Sequence, residues 1–444
     1  MTAKVVEKLK DRFALSRESK RAVKNTHWLL SEKLVSMPVG LITSVLLARH
    51  LGVEQLGLYS YLLSVAMLVT PLATMGLSSL ITRELVNEHD HRYSVMGAAF
   101  LVRLFGGLLG LGVLSLYGMT ESAQNAQWLM LIGVAQVFSC MTFIDFWFQS
   151  RVQVQYSVMA RTFALFAIFS MRLAAIWFEA ELSIFVWLYG AELIVSALSY
   201  LTVYRLRGER LVDWQLDGRR AISMVKQSWL LILSGFAAMV YLKIDMVMLT
   251  RMTTLEQAGL YSVASRISEI WYFIPIAVVS SFFPMLLKLR NTSHEHYHKK
   301  LQVLCDLLFA MAVAVVVPVI LLSESVMVIV FGDEYRQAAP VLSIHILAGV
   351  FIFMRALFSK WLIAEGLLKF SLVTQLAGAL VNVALNALLI PHYESMGAAW
   401  ATLISYACAS YFALFFSSHT RPMAFIMSRS LLLPFRAGSY FRRG

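Results

Sequence analysis

Residues 47–60 read LARHLGVEQLGLYS, and residues 249–262 read LTRMTTLEQAGLYS. Aligned without a gap at an offset of 202, the strings match at eight of fourteen positions, among them Arg49/Arg251, Glu54/Glu256, Gln55/Gln257, Gly57/Gly259 and Tyr59/Tyr261. Apolar segments match by chance at Leu and Ala; a shared EQ-x-GLYS does not arise that way. Each copy joins two apolar stretches of bilayer length, about 20 residues. The repeat therefore marks a duplicated membrane-spanning unit.

Working outward, further apolar stretches fill the chain. We place spans at 27–48, 58–80, 94–117, 127–148, 157–178, 183–203, 228–249, 260–285, 302–322, 338–357, 369–390 and 395–416. The composition agrees: 59% of the 444 residues are hydrophobic and 14% charged, against roughly 45–50% and about 25% in soluble domains. A soluble enzyme, a disordered chain and a nucleic-acid-binding domain are all excluded, the last because the +12 net charge flanks apolar runs and forms no basic domain. Cys140, Cys305 and Cys408 lie singly in apolar runs, so no disulfide framework or CxxC metal site is expected. HEHYH, 294–298, is expected to be a solvated loop, its two-residue spacing being wrong for zinc.

Lys and Arg set the orientation. They crowd the leader, the tail and the loops after even-numbered spans, whereas the opposite loops carry only Arg49, Arg251 and Arg336. Both termini are therefore expected in the cytoplasm. The fold expected is an all-α polytopic membrane protein with twelve transmembrane helices in two pseudo-symmetric six-helix lobes. Its parts are a basic leader 1–26, a first lobe 27–203, a cytoplasmic inter-lobe loop 204–227, a second lobe 228–416 and a basic tail 417–444. Six spans per half give both halves the same topology, a parallel repeat. Pro71 and Pro275, in the second span of each half, are candidate hinges, because proline removes a backbone donor and bends a helix. No external loop can house a soluble catalytic module, and no Walker loop is present; the chain is not expected to be an enzyme.

Several strings in this order resemble the polysaccharide flippases (Wzx type) of the MOP superfamily, relatives of the lipid II flippase MurJ and of MATE exporters. They are ARHLG and LGLYS after span 1, YLKIDMVMLT and EQAGLYSVASRISE across spans 7 and 8, FFPMLLKL, FGDEYRQAAPVL, and NVALNALLIPHYESMGAAWATLISY at the 11–12 junction. The resemblance implies a V-shaped bundle around a hydrophilic cavity and alternating access. It also implies a bacterial inner-membrane location and a cargo of undecaprenyl-pyrophosphate-linked glycan, with the polysaccharide polymerase and chain-length regulator as partners. Glu394 departs from the family, which commonly has glycine in that turn.

Charges inside spans cost at least about 2.5–3.5 kcal/mol each, so they face a cavity or pair with one another. The basic ones are Lys33, Arg103, Arg172, Lys243, Arg266 and Arg355; acidic ones include Glu32, Asp145, Glu192, Asp245 and Glu269. Cations suit a pyrophosphate headgroup, Arg as a fork and Lys as a compact charge. Lys33, Lys243 and Arg266, on helices that border the cavity in this family, and Arg172 are expected to meet the cargo. Arg103, Arg355 and Glu269 are expected to line the cavity or lock helices together, Arg103 through Asp145 or Glu192, and Arg266 with Glu269 as a local pair. Asp245, Asn382, Asn386 and Thr402 bring carboxylate, amide and hydroxyl oxygens, the donors a hard cation takes; the same asparagines equally suit helix-to-helix hydrogen bonds. The set resembles the sodium site of the lipid II flippase branch, with Asn386 where an Asp stands there, so the coupling ion implied is Na⁺ or H⁺, with no resident cofactor. The competing functions are a MATE-type cation exporter, whose cationic cargo would want an acidic cavity, and a polysaccharide polymerase or ligase, which would need a larger external loop.

Overall fold

The computed structural model describes residues 17–88 and 90–436. The leader expected over 1–26 lies mostly outside these residues, as does the end of the tail. In chain order the α-helices are α1 (Arg17–Thr74), α2 (Ser78–Asn87), α3 (Arg92–Gly118), α4 (Ala123–Phe138), α5 (Ile144–Ser150), α6 (Val154–Trp177), α7 (Leu182–Leu206), α8 (Gly218–Met252) and α9 (Leu255–Glu269). They continue as α10 (Phe273–Thr292), α11 (His294–Leu321), α12 (Ser323–Phe331), α13 (Ala338–His345), α14 (Ala348–Glu365), α15 (Leu368–Ser410), α16 (Arg421–Leu431) and α17 (Leu433–Arg436). No strand occurs among the described residues. In lipid only helices and closed barrels satisfy every backbone group internally, and this chain takes the helical solution.

Ten helical stretches among the described residues are long and apolar enough to cross a membrane. Two of them, 27–87 and 369–416, each hold two of the twelve expected spans, because a break divides them. In α1 the break is Gly52, with φ +71° and ψ 176°, a conformation open to glycine alone. In α15 it is Glu394, with φ +50° and ψ −129°. That is the first central position of a II′ turn, which favours glycine, so the departure noted in the sequence leaves a strained residue in the same turn.

The prolines do not behave as a pair. Pro71 lies in α1 just before a second break, where Met75 (φ 53°) and Gly76 (φ 58°) both turn left-handed. Pro275 occupies the first turn of α10, after a 3₁₀ turn at Ile270–Tyr272. Its missing N–H costs nothing there, since first-turn amides have no helical partner. HEHYH is not a loop: a Ser293 cap starts α11 at His294.

The chain forms two compact units. One comprises Val69–Leu233 with the described part of Met1–Ser44; the other comprises Val45–Leu68 and Ser234–Gly444, the latter as far as it is described. The first unit is built on a core around Phe143, Trp147, Phe148 and Tyr204. The connector 204–227 belongs to that core: Trp214 Nε1 donates to Tyr204 Oη at 3.0 Å, and the Gln215 N–H donates to the Tyr93 carbonyl at 3.2 Å. The second unit's core joins α11, α14 and α16 through Leu301, Leu308, Phe358, Trp361 and Met427.

Within the second unit the two repeat strings pack on each other. A Cβ on Gly57 would sit 2.0 Å from the Leu255 carbonyl oxygen, and one on Gly259 would sit 2.0 Å from that of Val53. Val53 and Leu255 are themselves 202 residues apart, so the contact is reciprocal. The matched glycines let two helix ends touch backbone to backbone, a use of small residues common in membranes.

Candidate functional site: a buried carboxylate cluster and the intramembrane cations

Asp245 sits on α8, 3% exposed. Its Oδ1 accepts from Asn386 Nδ2 at 2.5 Å, and its Oδ2 lies 2.7 Å from Thr402 Oγ1 and 2.8 Å from the Tyr261 hydroxyl that donates to it. Asn386 Nδ2 also donates to Asn382 Oδ1 at 3.2 Å, and Asn382 Nδ2 reaches Ser405 Oγ at 3.4 Å. The four residues expected to form one polar site do so, and Tyr261, the tyrosine of the second repeat string, joins them. All are buried. A one-turn spacing puts Asn382 and Asn386 on one face of α15.

One atom in this set has no donor: Asn386 Oδ1 is buried and unpartnered. A cavity of about 30 Å³ adjoins Asp245, Tyr261, His345 and Thr402. That is room for a water or a monatomic ion and for nothing larger. The Asp245 carboxylate and the hydroxyls of Tyr261 and Thr402 line it, donors of the type a hard cation takes, and Asn386 bonds to the same carboxylate. No cluster of three or more His, Cys, Asp or Glu among the described residues offers a transition-metal site.

The cations are dealt differently. Lys243 Nζ lies 3.7 Å from Glu269 Oε2, with both side chains about a third exposed or less. Glu269 therefore answers Lys243 across helices. Arg172 donates to Glu192 at 2.7 Å. Arg355 Nη1 donates to the Ala409 carbonyl at 3.1 Å and Ser410 Oγ at 3.2 Å, tying α14 to the end of α15. Lys33 and Arg266 are exposed. Arg103 is 5% exposed and donates to Thr142 Oγ1 at 2.8 Å, not to Asp145 or Glu192.

The family model described as "Polysaccharide biosynthesis protein" matches residues 22–290, more than half of the chain. The chain belongs to that family. Among its relatives is the succinoglycan biosynthesis transport protein ExoT of Rhizobium meliloti, 23% identical over 339 residues, which are 73% of this chain and 66% of that protein, just under two thirds of its length. Among solved structures, the lipid II flippase MurJ in an inward closed conformation superposes with a TM-score of 0.70 at 15% identity, covering 93% of this chain and 92% of that one. An inward-facing MATE multidrug transporter of the MOP superfamily gives 0.69 at 12% identity, covering 89% and 96%. The fold is thus that of MOP-superfamily transporters. The family shown is that of polysaccharide biosynthesis proteins, the fold is one shared with MurJ and MATE transporters, and the chain is a multi-pass membrane protein.

In this polysaccharide biosynthesis protein one intramembrane cation is missing from the six named in the sequence, Arg161, although the expected span 157–178 contains it. It lies inside α6. Its Nη2 donates to Glu32 at 2.7 Å, its Nη1 to Asp145 at 2.9 Å, and the same nitrogen reaches the Tyr200 hydroxyl at 3.2 Å. The signal was available: an acid in each of spans 1 and 4, and an arginine one turn inside span 5. A second buried acid, Asp306 on α11, accepts from Ser430 at 2.6 Å and Arg436 at 2.9 Å, and so anchors α16 and α17.

Proposed function

We propose that the protein flips undecaprenyl-pyrophosphate-linked oligosaccharide repeat units from the cytoplasmic to the periplasmic leaflet of a bacterial inner membrane, by alternating access, with both termini in the cytoplasm. The observation that carries this reading is membership of the polysaccharide biosynthesis protein family over 22–290. An anionic lipid headgroup needs cations that release it again. Lys33, which is exposed, suits that task better than Lys243 and Arg172, which have carboxylate partners. The Asp245 cluster is the proposed coupling site, taking Na⁺ or H⁺. The polymerase and chain-length regulator of the same pathway are the proposed partners.

The test is complementation of a flippase-deleted strain, scored by surface glycan on gels, with membrane levels of the protein checked by immunoblot. Lys33→Ala and Arg266→Ala should each abolish glycan. Asp245→Asn should remove any dependence of transport on a Na⁺ or H⁺ gradient in vesicles. Full glycan from both cation variants, or a drug-resistance phenotype with no glycan phenotype, would sink the proposal in favour of the exporter.

A further inference from the structure

The first unit contains a second cavity, about 440 Å³ in volume, on whose wall lie Gly76, Ser78, Arg103, Thr142, Asp145 and Arg161. Three features meet there. The chain breaks at Met75 and Gly76 and restarts as the ten-residue α2 at Ser78, with no side chain capping its first turn. The leading amides of α2 therefore lack helical partners and present the positive end of the helix dipole. Irregular backbone at membrane depth is tolerated where it lines a cavity, and half-helix N-termini in transporters point at anions.

The second feature is Arg103. It is 5% exposed, its Nη2 is held by Thr142, and its Nε has no partner. No carboxylate among the described residues lies within ion-pair distance of it, in contrast to Arg161 and Arg172. A buried charge without a counter-ion is strongly disfavoured. The third feature is Asp145: Oδ2 accepts from Arg161 and Gln149, while Oδ1 is buried with no donor. One wall thus holds a spare donor and a spare acceptor. Both atoms are covered, so a ligand reaches them as the two side chains turn toward the cavity.

An anion that only accepts hydrogen bonds answers Arg103 and the α2 amides but leaves Asp145 unanswered. An anion carrying its own proton answers all three. We propose that the cavity binds a phosphate monoester in its P–OH form: its oxygens accept from Arg103 and the first turn of α2, and its P–OH donates to Asp145 Oδ1. The second ionisation of such a group falls near pH 6, so the protonated form is present at cellular pH. Arg103 lies fifteen residues before the end of α3 at Gly118, about 22 Å along the helix at 1.5 Å per residue. In a hydrocarbon core about 30 Å thick, that depth approaches one headgroup layer. The phosphate arrives there on a lipid or free from solution. A glycosylated pyrophosphate, esterified at both ends, keeps only strongly acidic hydroxyls that are ionised at cellular pH, so this site is separate from that of the proposed cargo.

The test is equilibrium dialysis of radiolabelled inorganic phosphate against the full-length protein in neutral detergent. Competitors are a polyprenyl monophosphate, phosphatidylglycerol (a diester) and sulfate. We expect one saturable site per chain, weakened about tenfold or more in Arg103→Gln. Ser78→Asp keeps α2 intact, since an acid suits a helix N-terminus, yet it should abolish binding by placing a carboxylate at the mouth. Arg429→Gln, an equal change of charge on an exposed residue of α16, should bind as the parent does. A polyprenyl monophosphate that competes more strongly than unlabelled phosphate identifies a lipid headgroup site; equal competition identifies a free phosphate site. Competition by sulfate or the diester as strong as by phosphate would overturn the proposal. So would the lack of a saturable site, or retained affinity in Ser78→Asp. The cargo reading stands apart: glycan restored by a chain that binds no phosphate loses this site and keeps the flippase, and the converse loses the flippase and keeps the site.

Discussion

Replacing Gly57 or Gly259 by alanine should destabilise the protein, against the ordinary trend for helices. In a helix with free space, Gly→Ala is stabilising by about 1 kcal/mol. Gly40 is such a site, with nothing within 4 Å of the added methyl. At Gly57 and Gly259 the new Cβ would stand 2.0 Å from a backbone carbonyl oxygen, and it must withdraw to at least 3.0 Å. The obstacle on each side is main chain, so whole helix ends must part by about an ångström, at a cost of about 1–3 kcal/mol for forced overpacking. The two contacts share one interface. Once one methyl has opened it, the second meets less resistance, and the double variant should fall short of the sum of the singles. Thermal melting of the detergent-purified protein reads all four variants: Gly40→Ala at or above the parent, each repeat glycine variant several degrees below. Gly57→Ala and Gly259→Ala melting with Gly40→Ala would refute the reasoning, because they would show that the reciprocal contact does not hold these helices.

Other expectations follow from single sites. Arg161→Met leaves Glu32 and Asp145 without their cation; with the arginine 29% exposed, the loss should be about 2–3 kcal/mol, less than the 3–5 of a fully buried pair, and visible as reduced membrane yield and a lower melting temperature. Glu394→Gly should raise thermal stability by about 1 kcal/mol, since glycine relieves the positive-φ strain at some entropic cost; a lower melting temperature would argue against strain in that turn. Asp217 caps α8, and the N–H of Arg220, ahead of a bond from the Ser94 hydroxyl, holds its carboxyl below the usual value. A depressed folded value makes its contribution complete above the unfolded value and lost as pH falls through the folded one. The melting difference between the parent and Asp217→Ala should therefore hold at neutral pH and shrink below about pH 4.

Helix content, the spans and the convergence of Asp245, Asn382, Asn386 and Thr402 were legible because membrane insertion writes them into local pattern: bilayer-length apolar runs, and polar side chains one turn apart. What the pattern did not carry was partner choice. Arg103 against Thr142, and Arg161 bridging Glu32 and Asp145, depend on which helices face each other, and hydropathy is blind to that. Pro71 and Pro275 looked equivalent by their place in the second span of each half, yet one precedes a break and the other lies in the first turn of a helix. The repeat string was visible at once, but its contact with its own copy was not, since spacing along the chain says nothing of where duplicates meet.

Residues 45–68 belong to the second unit although the rest of that unit begins at Ser234. During synthesis from the N-terminus at about 5–20 residues per second, some ten to thirty seconds therefore pass between the emergence of Leu68 and that of the chain it packs against. Through that interval Arg49 awaits the carbonyls of Ile329 and Val330, and Gly57 awaits its mate. A ribosome that stops short of α9 would release a product with this segment unclad, a natural mark for a membrane protease, and chains truncated before Leu255 should turn over quickly in pulse-chase labelling.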